Sequence, residues 1–309
     1  HFFANLGIIH SCRFTDNKGT NGADIYYQHN AASQKPTSDK NFSLIIEDCT
    51  FKRTTQTSSL VYIDSIKANL FIYFTNNAVV FSELSDSYFF GFSSDTLYQQ
   101  NEIKCQSNCI SPNKKYIYSN DHFSSGFSNE ECIVTPPIGP IEPTEAPIEP
   151  DEPTDKPADP TLTLTPTPNT PEEPIDCPTD YPNCYIDKVI ESDINIEKQN
   201  LYINKCTFNE LTGAGSPSVD NSQNNGGAIY LYCTSGTTKI CYIISSKFNK
   251  CHATSGGAIY FKHAQISEGK LRFEVDDCDF NENEATDGGA IHFFANLGII
   301  HSCRFTDNK

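Results

Sequence analysis

The fold is decided by residues 256–283, which read GGAIYFKHAQISEGKLRFEVDDCDFNEN. Within them, Phe273, Val275, Cys278 and Phe280 follow the order apolar, any, apolar, two polar residues, small, any, Phe. Alternation with a period of two on either side of the polar pair indicates two short strands, each with one buried face. The three-residue step in the middle breaks this alternation, so the pattern predicts a corner between two strands.

This eight-residue pattern, called the corner motif below, recurs along the chain. Its six copies span residues 7–14, 44–51, 201–208, 241–248, 273–280 and 298–305. A Gly-Gly-Ala-Ile strand is found at 226–229, 256–259 and 288–291, and a Phe-x-x-Asn turn at 14–17, 280–283 and 305–308. Residues 21–26 (NGADIY) resemble the Gly-Gly-Ala-Ile strand with one residue inserted. Phe74 is predicted to continue the series of motif phenylalanines after Phe14 and Phe51.

Three short strands separated by turns, repeated in series, describe one turn of a parallel β-helix. The recurring Phe is expected to stack in the interior, with a stack of cysteines beside it. The members of that second stack are Cys49, Cys206, Cys278 and Cys303. The longer repeats gain extra residues at one corner, between the Gly-Gly strand and the next apolar strand, in 28–43 and 262–270, and a second excess lies at the earlier turn, in 213–225. Insertions of this kind decorate one edge of a solenoid, often its binding edge.

We predict four regions: β-helix repeats in 1–83, an irregular cap in 84–135, a disordered linker in 136–183 and further β-helix repeats in 184–309. The linker holds 15 of the 18 prolines and, between positions 142 and 180, eleven Asp or Glu residues against the single Lys156. Proline removes backbone donors and like charges repel, so this stretch cannot pack a core. Its Thr-Pro pairs are either O-glycosylation sites on a stalk or part of an undecorated spacer.

Residues 1–18 (HFFANLGIIHSCRFTDNK) reappear unchanged as residues 292–309, a period of 291. We interpret the chain as a slice of a longer tandem array, cut out of phase with its repeat; an assembly artefact is the alternative. Each copy contains the tail of a Gly-Gly strand, a corner motif and a Phe-x-x-Asn turn. The two halves of the chain are therefore expected to stack on each other or to associate end to end.

The composition restricts the partners and the location. A net charge of −17 and a pI of about 4.8 argue against nucleic acid or an anionic membrane as a partner. Thirteen cysteines indicate an oxidising, extracellular or cell-surface location, although buried free thiols would also account for them. Disulfides are predicted among the cysteines outside the expected stack, as Cys233–Cys241, Cys105–Cys109 and Cys177–Cys184.

The alternation of Gly-Gly-Ala-Ile with Phe-x-x-Asn resembles the repeats of the chlamydial polymorphic outer-membrane proteins, which also occur in surface proteins of parasitic protists. The resemblance covers residues 200–309 closely and 1–77 more loosely. It implies a surface-displayed, right-handed parallel β-helix that is often adhesive. Two turns depart from the family pattern, because Leu211 and Cys251 stand where Asn is expected.

Parallel β-helices also carry polysaccharide lyases and hydrolases, whose sites need clustered carboxylates. Asp276, Asp277 and Asp279 lie at one corner, and Glu47 and Asp48 lie at another. We interpret these carboxylates as solvated bend residues. Calcium binding and an enzyme site are the alternatives.

Other polar residues give weaker signals. His252 beside Cys251 lacks the paired spacing of a zinc site, and His301 is expected to be exposed at its corner. Asn41 begins the sole N-glycosylation sequon, within the longest inserted segment. No catalytic, cofactor-binding or metal-binding residue is assigned, and no cofactor is expected.

The sequence thus predicts a non-enzymatic surface protein that contacts a protein or glycan ligand through its corner loops, in adhesion to a host or matrix. The alternatives are a carbohydrate-active enzyme on the same fold and a purely structural coat protein.

Overall fold

A computed structural model describes residues 2–19, 23–30, 42–54, 59–66, 70–81, 88–92, 102–111, 127–128, 176–197, 199–213, 224–233, 240–263 and 272–309. Within these ranges, all helical or extended structure is β-strand, and neighbouring strands pair in parallel. The predicted all-β class is therefore confirmed.

The first twelve strands are β1 (Phe2–His10), β2 (Arg13–Thr15), β3 (Ile25–Asn30), β4 (Phe42–Glu47), β5 (Thr50–Arg53), β6 (Ser59–Ile66), β7 (Leu70–Thr75), β8 (Ala78–Phe81), β9 (Tyr88–Phe92), β10 (Glu102–Gln106), β11 (Asn108–Ser111) and β12 (Phe127–Ser128). The others are β13 (Asn183–Ile186), β14 (Val189–Ile190), β15 (Ile194–Glu197), β16 (Leu201–Asn204), β17 (Thr207–Asn209), β18 (Ile229–Cys233), β19 (Ile240–Ile244), β20 (Lys247–Asn249), β21 (His252–Ser255), β22 (Ile259–His263), β23 (Arg272–Asp276), β24 (Asp279–Asn281), β25 (Glu284–Asp287), β26 (Ile291–His301) and β27 (Arg304–Thr306).

These strands form three sheets. Sheet A has 15 strands, with the path β10-β7-β4-β1-β26-β23-β19-β16-β13 and the strands β15, β18, β22, β3, β6 and β9 alongside it. Sheet B has ten strands, in the order β12-β11-β8-β5-β2-β27-β24-β20-β17-β14. Sheet C consists of β21 and β25.

Each corner motif joins sheet A to sheet B. Its first strand lies in sheet A and its second in sheet B, and equivalent positions of successive motifs are register partners. The structure contains the six predicted motifs and adds three more, at 72–79, 103–110 and 183–190. The predicted series of phenylalanines needs one correction. Val79, not Phe74, pairs with Phe51, while Phe74 pairs with Ile46 in sheet A.

The polar residue before the small position turns the chain at each corner. It adopts a left-handed backbone in all nine motifs, with φ between 47° and 54°, at Ser11, Asp48, Asn76, Ser107, Asp187, Lys205, Ser245, Asp277 and Ser302. This conformation is unfavourable for a residue with a side chain. It is stabilised because the amide of the turning residue donates to a carbonyl of the next motif, as Asp277 N does to His301 O at 3.1 Å.

The small residue that follows links one corner to the next. Its side chain donates to the carbonyl two residues earlier and accepts the backbone N–H of the neighbouring small residue. Cys278 Sγ donates to Asp276 O at 3.2 Å and accepts from Ser246 N at 3.4 Å. Ser246 Oγ, in turn, donates to Ile244 O at 2.8 Å and accepts from Cys206 N at 3.1 Å. We call this series of linked side chains the corner column. Asn77 and Asn108 belong to it, because Cys49 N donates to Asn77 Oδ1 at 2.9 Å and Asn77 N donates to Asn108 Oδ1 at 3.0 Å.

The predicted stacks of Phe and Cys are confirmed. Neighbouring motif Phe rings lie 4.7 to 5.0 Å apart from Phe208 through Phe248, Phe280, Phe305 and Phe14 to Phe51. The expected cysteines are buried thiols, and Cys12 stands among them; the stacked cysteines are Cys12, Cys49, Cys206, Cys278 and Cys303. Burial raises the pKa of the Cys12 and Cys278 thiols, which keeps them protonated and unreactive.

The asparagines of the Phe-x-x-Asn turns form a further buried column. Asn283 Oδ1 accepts from Cys251 N at 2.9 Å, and its Nδ2 donates to Phe248 O at 3.0 Å and to Asn308 Oδ1 at 2.9 Å. Asn308 repeats these contacts with Asn17. The side-chain amides thus satisfy backbone groups that a turn would otherwise leave without partners in the interior.

The two ends of the chain meet in the middle of sheets A and B. β1 pairs with β26 and β2 with β27, so that each residue lies beside its own copy. The described residues between 2 and 128 and those between 177 and 309 form one compact unit. The expected stacking of the two halves is thus observed.

Two predicted regions are described in part. Residues 84–135, expected to be an irregular cap, contain β9 to β12, which continue sheets A and B. Most of the linker predicted at 136–183 lies outside the described residues, and its disorder stays a prediction.

One of the three predicted disulfides is confirmed, namely Cys177–Cys184. The other two pairings are wrong. Cys105 is a thiol, whereas Cys109 is bonded to a different cysteine. Cys241 is a buried thiol at the first apolar position of its motif, beside Leu201 and Phe273. A buried thiol at such a position packs as a small apolar side chain.

We expect Asn283→Ala to lower the free energy of unfolding by about 2–4 kcal/mol, because it leaves the buried Cys251 N–H and Phe248 carbonyl without partners. Asn249→Ala is the matched control. Its amide bonds Asn209 on the exposed face of sheet B, so its removal should cost less than about 0.5 kcal/mol. Urea unfolding of both variants checks this, and equal losses would contradict the role of the buried column.

Candidate functional site

The structure brings polar side chains together in three places: a buried pair, a corner ridge and the outer face of sheet B. The buried pair is Asp24 and Arg53, which both stand where the repeat departs from its pattern. The position two residues after the motif Phe is a left-handed, acidic or lysine residue at Asp16, Glu210, Lys250, Glu282 and Asp307. Arg53 occupies the same position but ends strand β5 and is fully buried.

Asp24 replaces a buried alanine of the Gly-Gly-Ala-Ile strand. Phe2 pairs with both Tyr27 and Phe293, which makes Tyr27 equivalent to Phe293. Asp24 is therefore equivalent to Ala290, and Ala23 to the second glycine of the motif. The predicted insertion at 21–26 is thus wrong, because the strand keeps its length and differs by substitution.

The two charged groups contact each other away from solvent. Arg53 Nη2 lies 2.8 Å from Asp24 Oδ1, and neither side chain has any exposed surface. Asn17 Nδ2 donates to the same carboxylate oxygen at 2.9 Å, and Arg53 Nη1 donates to the carbonyl of Asn17. Asp24 Oδ2 has no hydrogen-bond partner. Burial raises the pKa of Asp24, which outweighs the opposing effects of Arg53 and Asn17.

The Asp24–Arg53 pair holds the backbone at Asn17 in place and is not a reaction centre. The contacts enclose the pair, so a substrate cannot reach it. The pair ends the buried asparagine column, because Arg53 and Asp24 take up the carbonyl and the amide of Asn17. No residue of this pair was predicted as important from the sequence. Two departures from the repeat could have indicated the pair. Arg53 stands where other repeats carry Asp, Glu or Lys, and Asp24 stands inside a strand that resembles Gly-Gly-Ala-Ile.

The corner ridge consists of Asp276, His301, His10 and Glu47, which end neighbouring strands of sheet A, together with the turning residues beside them. The two imidazole rings stack with their centroids 5.0 Å apart. Asp276 Oδ1 lies 2.7 Å from His301 Nδ1, and Asp48 Oδ2 lies 3.0 Å from His10 Nε2. The ridge therefore places two adjacent imidazoles between flanking carboxylates, whereas the sequence analysis considered these carboxylates as separate corners.

At His301, the geometry of the ridge differs from that of a catalytic triad. Both Ser302 Oγ, at 3.1 Å, and Asp276 Oδ1 contact the same nitrogen of His301. A serine and a carboxylate must contact opposite nitrogens for the ring to relay a proton between them. At His10, Ser11 contacts Nδ1 and Asp48 contacts the opposite nitrogen, Nε2. The side chains of His10 and Asp48 are, however, 33% and 43% exposed. Solvent thus screens the ridge, as expected for bend residues.

The outer face of sheet B carries a shallow polar depression across β20, β24 and β27. It is lined by Lys247, Asn249, Asp279, Asn281, Arg304 and Thr306. Arg304 contacts Asp279 through two hydrogen bonds of 2.6 and 3.0 Å, and this carboxylate raises the pKa of the guanidinium. The outward position before the motif Phe carries four residue types in six motifs (Thr, Lys, Asp and Arg), in contrast to the uniform interior.

The remaining sequence signals do not converge on a metal site. Within the described residues, no group of three or more His, Cys, Asp or Glu side chains is placed to hold a metal ion. Cys251 is buried beside the asparagine column, while His252 is exposed. The sequon at Asn41 lies outside the described residues, as do most of the insertions predicted at 28–43, 213–225 and 262–270.

Comparison with known proteins returns no match to a family model, a curated protein or a solved structure. Among the residues that the structure describes, no helix is long and apolar enough to cross a membrane.

We expect Asp24→Ala to cost about 3–5 kcal/mol of unfolding free energy, because it leaves the Arg53 guanidinium buried without a counter-ion. The double variant Asp24→Ala/Arg53→Leu removes both charges and should recover at least about 2 kcal/mol of that loss. Chemical denaturation of the single and double variants measures the difference. Equal stabilities for the two would show that the charges do not interact.

The same pair predicts a pH dependence. Because the folded state raises the pKa of Asp24 above its ordinary value of 3.8, the folded protein holds this proton more tightly than the unfolded chain. The stabilisation from this group is complete below pH 3.8 and is lost as pH rises through the folded pKa, with a slope of at most about 1.4 kcal/mol per unit. The difference in stability between the wild type and the double variant should therefore fall as pH rises. A difference that grows with pH would contradict the direction of this shift.

Proposed function

We propose that the chain is a non-enzymatic, surface-displayed right-handed parallel β-helix that mediates adhesion through its corner loops. The order of strands along the chain supports the β-helix. One repeat passes through β23 in sheet A, β24 in sheet B and β25 in sheet C, and returns to sheet A as β26. Each of these strands pairs with its counterpart in a neighbouring repeat, which supports a solenoid.

The contrast between inward and outward positions carries the functional proposal. In sheet B, the inward position is Phe in six consecutive motifs, from Phe208 to Phe51. The outward position before it is, in the same order, Thr207, Lys247, Asp279, Arg304, Arg13 and Thr50. A constant interior beside a variable exterior supports a scaffold whose exposed parts, the corner loops among them, can vary without a change in its core.

Two further observations support display outside the cell. The Cys177–Cys184 disulfide is stable in an oxidising compartment. The Gly-Gly-Ala-Ile and Phe-x-x-Asn motifs resemble those of polymorphic outer-membrane proteins, whose β-helices are often adhesive. The proposed ligand is a protein or glycan of a host surface or matrix.

Binding of the full chain to arrays of glycans and matrix proteins tests this function. We expect binding without turnover, and a loss of at least about tenfold when residues 31–41 are replaced by a Gly-Ser segment, because a loop contact of about 1.4 kcal/mol has that effect. Lys247→Ala/Asp279→Ala/Arg304→Ala, on the outer face of sheet B, is the matched control and should bind as the wild type does.

Three other outcomes would contradict the proposal. Release of reducing ends from a polysaccharide, lost in Asp277→Ala, would establish a carbohydrate-active enzyme. Loss of binding in the sheet B variant alone would move the ligand site from the loops to that face. Neither binding nor turnover would favour a structural coat protein.

A further inference from the structure

The contact between β1–β2 and β26–β27, called the seam below, joins two identical segments. Residues 1–18 and 292–309 have the same sequence, and they pair with each residue beside its copy from Phe2↔Phe293 to Thr15↔Thr306. The seam therefore belongs to both sheets and lies between parts of the chain that are far apart in sequence.

The seam has the same contacts as the other junctions between repeats. The Phe14 and Phe305 rings lie 5.0 Å apart, compared with 4.8 Å for Phe280 and Phe305. Asn308 contacts Asn17 Oδ1 through its backbone N at 3.0 Å and its Nδ2 at 2.9 Å, the same two distances as Asn283 has to Asn308 Oδ1. Nothing in these contacts depends on whether the two segments belong to one molecule.

We propose that the seam is an exchange interface, through which residues 292–309 of one molecule pair with residues 1–18 of a second copy of this chain. The partner presents the same sequence in the same register, so the intermolecular seam keeps every ladder hydrogen bond and ring contact. The two faces of the seam are different surfaces, which makes the association heterologous and extends it head to tail. This inference does not rest on the adhesive function.

The segment between the two halves decides which seam forms. The seam closes within one molecule only if the chain after β12 reaches the chain before β13. These strands lie at opposite ends of the strand order, nine inter-strand steps apart between β12 and β14, or about 43 Å at ~4.8 Å a step. The 48 residues between Ser128 and Cys177 are long enough to span this distance. The intramolecular seam then has an effective concentration in the millimolar range, which favours the closed monomer in dilute solution.

Shortening that segment is the first test. Deletion of 134–173 leaves eight residues between Ser128 and Cys177, which extend to at most about 32 Å and cannot close the seam. We expect the deletion variant to form dimers and longer assemblies by light scattering, with the circular dichroism of the full chain. A control in which 134–173 is replaced by a Gly-Ser segment of equal length should stay monomeric. A folded deletion variant that remains monomeric would overturn the proposal.

Disulfide trapping in the full chain is the second test and does not depend on folding of the deletion variant. Thr15 and Thr306 are register partners on the outer face of sheet B. Paired residues on adjacent parallel strands lie about 4.8 Å apart, within the Cα range of a disulfide. Thr15→Cys and Thr306→Cys chains, with different tags, are mixed, unfolded and refolded together at high concentration. We expect a covalent heterodimer, and its absence would overturn the proposal.

Thr207→Cys supplies the matched control for the trapping experiment. Thr207 lies on the same sheet face but four strands away from Thr15 in the order of sheet B. Mixing Thr15→Cys with Thr207→Cys should give no heterodimer above background. Equal yields from the two mixtures would show random collision instead of exchange through the seam.

Discussion

The structure depends on the satisfaction of backbone hydrogen bonds at buried corners. Each corner motif turns the chain sharply next to the core, where water cannot reach the amides and carbonyls that the turn exposes. A short side chain at the small position accepts the N–H of one neighbouring repeat and donates to a carbonyl of its own strand. At the second turn, asparagine accepts an N–H and donates to a carbonyl that both belong to the neighbouring repeat, as Asn283 does with Cys251 N and Phe248 O. The strands, the stacked rings and the parallel register all follow from corners that are aligned in this way.

The buried Asp24–Arg53 ion pair lies where the column of buried asparagines ends, at Asn17. After Asn17 the next repeat has no asparagine at the equivalent turn, and Arg53 and Asp24 take over its hydrogen bonds. The substitution replaces one buried amide by two opposite charges, which are costly to desolvate and stable only together. Each residue alone breaks the repeat pattern, and the pair restores it. Departures from a repeat are thus informative in pairs, once the register identifies which repeats are neighbours.

The sequence predicted the architecture better than its details, for reasons visible in single residues. Six motifs, the stacking of Phe and Cys and the parallel strands followed from the broken alternation around residues such as Val275 and Cys278. The motif at 72–79 was missed because Asn77 replaces the small residue and Val79 replaces the final Phe. Phe74, which lies at the second apolar position, was predicted to be the final Phe instead. Arg53 and Asp24 lie in different repeats, so their contact depends on a register that local patterns do not contain. The outward ridge of Asp276, His301, His10 and Glu47 was missed for the same reason.

The corner column also affects how such a sequence can evolve. Cysteine, serine and asparagine occupy equivalent places in it and make equivalent hydrogen bonds. A repeat can therefore exchange one of these residues for another without a matching change in its neighbours. Gain or loss of a whole repeat joins faces that are already compatible. In the proposed β-helix, length becomes a nearly neutral variable that changes in increments of about 4.8 Å, so related genes could differ in reach while retaining one interior.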